Sequence, residues 1–211
     1  MDIRFQVDSA PVLGPALVLF AAGTVIRVRR GVWDKRRGLL RLAAAVYLAA
    51  VLSLTVFPLN VTWGKYANQA PWIDQINFVP LLTADITMVP NVIMLVPAGF
   101  LLPLLFRNAT SAARATLMTA AASLSVEAAQ LLSYIVLNNG RSVDVNDLLA
   151  NTLGGLAGYA LVTLALRART LRGSLLAAAL PRSAALRADR RRTATADGTQ
   201  EATVEGSVVR P

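Results

Sequence analysis

Five apolar runs of membrane-crossing length recur along this chain, and its arginines fall mostly in the segments between them. That alternation is the strongest constraint on the fold. About 20 apolar residues, wound into a helix rising ~1.5 Å per residue, match the ~30 Å hydrocarbon core of a bilayer. Composition agrees, with 55% of the 211 residues hydrophobic and a mean hydropathy of +0.52. A formal charge of +9 would suit nucleic acid, but the cations flank apolar runs instead of interleaving with aromatics, so they serve to orient a chain in a bilayer. The expected fold is all-α, a polytopic bundle of about five transmembrane helices surrounded by lipid, with no nucleic-acid partner.

The first run covers residues 12–28 and ends at Arg27-Val28-Arg29-Arg30. A signal peptide carries positive charge before its apolar core, whereas Asp2, Arg4 and Asp8 precede this one, so it reads as a retained helix. The second run, 39–57, stops at Pro58. Residues 58–88 then hold Trp63, Tyr66, Trp72 and Phe78 with Lys65 as the only cation, a composition suited to the headgroup level. The third run, 91–106, contains Pro97, Gly99 and Pro103; the fourth spans 115–137 and the fifth 147–166. Lys and Arg number seven, two and nine on one side of these spans and one, one and one on the other. The positive-inside rule therefore predicts an external N-terminus and a cytoplasmic tail. Three segments are expected: 1–38, an N-terminal helix with its basic loop; 39–166, the main membrane domain; and 167–211, a basic cytoplasmic tail. Within the tail, residues 171–180 can form a short amphipathic helix, and from Pro181 onward there is little to bury, so disorder is expected.

The chain has no Cys and no His. Thiolate zinc sites, disulfides, Cys nucleophiles and His-based triads are thereby excluded, and acid or base chemistry is left to carboxylates, Tyr or Lys. No cofactor and no resident metal are expected.

Within the fourth run, Ser123, Glu127, Gln130 and Tyr134 are spaced by four, three and four, which places them on one helix face. A carboxylate in an apolar span is costly and usually faces a bundle interior or a cavity. Asp144, Asp147, Asn151, Gly154 and Gly158 keep the same rhythm in the next helix, an antiparallel neighbour, so the two stripes are expected to meet. Counting ~1.5 Å per residue from the two outer helix ends puts Glu127 level with Gly154, and the Gly154-x-x-x-Gly158 spacing would then leave room for it. Asn91, Pro97 and Gly99 are further candidates for helix packing. At the rim, Asp144 or Asp147 either caps the fifth helix with Arg141 paired to one of them, or the three form an externally open pocket with Glu127, Gln130 and Asn151 beneath. In a pocket Arg141 would offer a forked donor to phosphate or carboxylate and the acids would accept from hydroxyl or amine groups.

The ordered series Glu127-x-x-Gln130, Arg141-x-x-Asp144-x-x-Asp147-x-x-x-Asn151-x-x-Gly154-x-x-x-Gly158, preceded by the Asn91 to Gly99 element, resembles the VanZ-like family across roughly residues 40–166. Asn77-Phe-Val-Pro80-Leu looks like a weaker upstream element of it. The resemblance implies a small multi-pass protein of the bacterial plasma membrane. Its founding member is associated with teicoplanin resistance by a route separate from rebuilding the peptidoglycan terminus. The favoured expectation is a binding role: a lipid-linked cell-wall component or lipoglycopeptide held at the external mouth by Glu127, Gln130, Arg141, Asp144, Asp147 and Asn151. Two alternatives stay open. In one, an enzyme uses Glu127 and Asp144 as acid and base, or Mg²⁺ held with Asp147. In the other, Glu127 is the carrier of a proton-coupled transporter.

Overall fold

The computed structural model describes residues 2–68, 70–78, 88–139 and 142–195. Arg141, Pro80 and the last sixteen residues, 196–211, lie outside the described residues. The main helices are Ser9–Arg29 (α1), Lys35–Thr55 (α2), Met88–Leu105 (α3), Ala112–Leu137 (α4), Val145–Arg167 (α5) and Arg169–Ala178 (α6), followed by a helical segment at 184–195. The first five are long and apolar enough to cross a membrane. Their flanks expose Leu19, Leu54, Ile93, Leu117 and Leu164, side chains that lipid tails accept and water does not.

Each helix start has a local cause. Pro11 sits in the first turn of α1, where the missing N–H is no loss. Asp34 accepts from the Arg36 N–H at 2.8 Å to open α2, Ser111 from Arg114 at 3.3 Å to open α4, and Asp144 from Asn146 at 2.7 Å to open α5. At the far end of α4, Asn138 adopts the left-handed conformation (φ 53°) that Asn tolerates better than most residues, and this stops the helix.

α5 is the central element, packed along α3 and α4. Backbone carbonyls of α3 approach it where it carries glycine. A Cβ on Gly158 would stand 1.9 Å from the Val96 carbonyl oxygen, and one on Gly154 would stand 2.2 Å from that of Val92. Gly99 of α3 answers from the other side, its Cβ position 1.9 Å from the Gly155 oxygen. Such approach is what small residues give membrane helices, whose association depends on close packing because lipid removes most of the hydrophobic drive. α1 and α2 form an antiparallel pair beside this core, with Arg27 and Arg41 stacked over Trp33 at 5.0 and 3.9 Å. The Tyr47 hydroxyl donates to the Met94 carbonyl at 2.8 Å and ties the pair to α3.

Two small sheets add to the helices. Ile3–Val7 (β1) pairs antiparallel with Leu59–Trp63 (β2), and Ile76–Asn77 (β3) pairs parallel with Val143–Asp144 (β4). In the connection after β2, Trp63, Tyr66, Trp72 and Phe78 are all exposed, the disposition that suits aromatics at a headgroup level.

The tail departs from the sequence expectation as far as residue 195. α6 and the 184–195 segment fold beneath α3 and α5, and Ala179, Ser183, Ala184 and Ala185 are buried, with Ala179 and Ala185 against Leu104 and Val162. Leu180 N–H donates to the Leu104 carbonyl at 2.9 Å and Ala184 N–H to that of Phe106 at 3.0 Å. These backbone bonds satisfy carbonyls that the end of α3 would otherwise leave without a partner. Small side chains bury little area, yet they let two backbones come within bonding distance, a gain that apolar content does not reveal.

Candidate functional site

The two polar stripes do meet, in a register set by hydrogen bonds. Asn151 Nδ2 donates to Ser123 Oγ at 2.9 Å, and Thr119 lies directly against Gly155. One turn nearer the C-terminal end of α4, the Asp144 N–H points to Glu127 Oε2 at 3.4 Å. Glu127 therefore stands opposite the first turn of α5. The expectation that Gly154 and Gly158 make room for it is corrected, since both glycines turn to α3. The depth count failed because it started both helices at one level; β4 in fact lies alongside α4, so α5 begins well below the end of α4.

Three acidic residues come to this region from α4, β4 and α5, and the two aspartates are held by amides from β3 and α3. Asp144 caps α5 with one oxygen and accepts from Asn77 Nδ2 at 3.1 Å with the other, a contact positioned by the β3–β4 pairing that places Asn77 beside it. Asp147, one turn into α5, accepts a hydrogen bond from Asn91 Nδ2 on α3. Both Asp side chains lie close enough to Glu127 for their charges to interact. Glu127 itself is 5% exposed, and its only hydrogen bond among the described residues is the long one from Asp144, beyond the usual 2.7–3.2 Å range. Below it, Asn151 Oδ1 is buried without a donor among the described residues. Buried acceptors are nearly always paired, so these two are open to groups that bring hydrogen.

The other residues singled out from sequence fall in different places. Gln130 Nε2 donates to the Thr55 carbonyl of α2 at 2.7 Å, and the buried Tyr134 hydroxyl donates to the Ala70 carbonyl at 2.5 Å, so both pin neighbours to α4 and neither reaches the acids. Pro97 is on an exposed flank of α3. Arg141 lies outside the described residues. Asn91, taken from the sequence as a packing residue, proves to be the donor to Asp147, and Asn77 joins the site unannounced. The sequence signal for the first was a lone amide at the start of an apolar run; for Asn77 it was the short Asn-Phe-Val-Pro element. Among the described residues, no three acidic, His or Cys side chains come together closely enough to hold a metal ion.

Searches of curated proteins and of solved structures give no match to the chain. A family model does match, that of VanZ/LLP1, over residues 44–166. The matched region runs from within α2 to the end of α5 and takes in Asn77, Asn91, Glu127, Asp144, Asp147 and Asn151, together with the glycines on which α3 and α5 close. With five helices long and apolar enough to cross a membrane, this is a multi-pass membrane protein, and it belongs to the VanZ/LLP1 family.

Proposed function

We propose that the protein binds the polar head of an amphiphilic cell-envelope molecule, a lipid-linked cell-wall component or a lipoglycopeptide, among α3, α4 and α5. One observation carries this reading: Glu127 is buried opposite the first turn of α5, which carries Asp144 and Asp147, and has only a single long hydrogen bond among the described residues. An acidic residue near the middle of a span costs roughly 3 kcal/mol to insert, and hydrogen bonds to a charged group return about 1.5–3 kcal/mol each. A head rich in hydroxyl or amine donors would supply the missing bonds to Glu127 and Asn151. With no Lys or His paired to them among the described residues, the acids suit hydroxyl and amine groups, and Arg141 is the guanidinium assigned to a phosphate or carboxylate of the same ligand. The charge bias of the loops supports a mouth on the outer side of the bacterial plasma membrane.

In cells, the expected outcome is that deleting the gene changes susceptibility to teicoplanin-type glycopeptides, and that Asp147→Asn or Arg141→Ala reproduces the deletion while the protein remains inserted at normal levels. Unchanged susceptibility in the deletion strain removes the resistance role without touching the binding role.

A second reading rests on the Asp144 backbone N–H reaching Glu127, which brings two acidic residues to one site where they could act as proton donor and acceptor on a lipid-linked substrate. Turnover of such a substrate by purified protein, lost in Glu127→Gln, selects this enzyme reading; retained ligand with no turnover selects binding.

A further inference from the structure

At the opposite end of α5 from the acids, a groove of about 290 Å³ lies between the C-terminal parts of α3 and α5, α6 and the 184–195 segment. Its floor is apolar, with Leu166 and Leu176 over the buried Val162, and its mouth carries Arg172, Arg187, Arg191 and Arg192 around a single carboxylate, Asp189. Asp189 is already taken: Arg172 Nε donates to it at 3.0 Å and Nη2 reaches the same oxygen, which clamps the terminal helical segment onto α6. Arg187, Arg191 and Arg192 have no carboxylate partner among the described residues, and all three are exposed. Arg187 and Arg191 are one helical turn apart, on the side of the segment that faces the groove.

We propose that this groove holds the phosphate headgroup of an anionic membrane phospholipid, with Arg187, Arg191 and Arg192 as donors and the start of an acyl chain on Leu166 and Leu176. Guanidinium forks match phosphate oxygens two at a time. The groove opens at the end of a membrane-crossing helix, where lipid phosphates lie. A free anion would have no use for an apolar floor. The ion pair has a consequent role: by spending the one local carboxylate on Arg172, it orders the segment and leaves the remaining cations for the lipid.

The test is native mass spectrometry of the full chain from detergent micelles doped with phosphatidylglycerol or with phosphatidylcholine. The wild type should retain phosphatidylglycerol preferentially. With about a factor of five per arginine near an anionic surface, the R187A/R191A/R192A variant should lose on the order of 100-fold of that preference. The R29A/R30A/R36A variant, which removes equally exposed cations away from the groove, should keep it. Ala188→Trp fills the groove without changing charge and should displace the lipid. Equal retention of the two lipids, equal loss in both triple variants, or full retention in Ala188→Trp each overturns the proposal. Displacement of the lipid by millimolar inorganic phosphate would also overturn it, in favour of a free anion.

Discussion

Asn77 and Asn91 do for the aspartates what nothing described does for Glu127. Each gives a side-chain amide to one carboxylate, from a different element, so the acids are positioned by tertiary structure and not by α5 alone. Removing the amide in Asn91→Ala leaves a half-buried oxygen of Asp147 without its donor, and should cost about 1–3 kcal/mol, read as a lowered melting temperature of the purified protein. Glu127→Gln keeps the volume and the buried position while removing the charge; it should melt within about 1 kcal/mol of wild type and lose ligand. A Glu127→Gln protein that melts far lower would mark the carboxylate as structural. The acids themselves were legible in the sequence, because a charged residue inside an apolar run has few explanations and a spacing of four and three defines a helix face. Their amide partners were less so. Asn77 reaches Asp144 through a two-residue parallel pairing between segments 67 residues apart, and no local pattern announces such a contact.

The contact between α3 and α5 rests on glycine facing carbonyl, and this makes it intolerant of a single methyl group. Gly158→Ala would drive a Cβ into the Val96 carbonyl, and the helices must separate; a loss of about 1–3 kcal/mol is expected, measurable by thermal unfolding in detergent. Gly173→Ala, on α6 with nothing within 4 Å, should by contrast be neutral or add up to about 1 kcal/mol through helix propensity. If both variants behaved alike, close approach would not be what holds α3 to α5. The helices were readable from the apolar runs to within a few residues, since length and hydropathy are local properties. Register was not. Level starts for α4 and α5 were a reasonable geometric default, but the chain between them runs back along α4 before α5 begins, and a sequence does not state how a loop spends its length. The tail misled for a related reason: its Ala and Ser residues bury through backbone contact, invisible to a count of apolar side chains.

Taken whole, the molecule has a carboxylate site near one end of its spans and a guanidinium-lined groove near the other. The positive-inside rule predicts that the acids face outward and the arginines inward. Because the chain contains no cysteine, each introduced one is unique. A membrane-impermeant maleimide should label Lys65→Cys in intact cells and Val32→Cys, in the exposed α1–α2 connection, only after permeabilisation; the reverse pattern would invert the orientation. The most direct test of the acid site is a titration of the purified protein in nanodiscs with a lipid-linked cell-wall precursor. The wild type should bind saturably, and Glu127→Gln and Asp147→Asn should each weaken binding about tenfold or more without a matching fall in melting temperature. Equal affinity in the wild type and both variants would contradict the assignment of these carboxylates as the binding site.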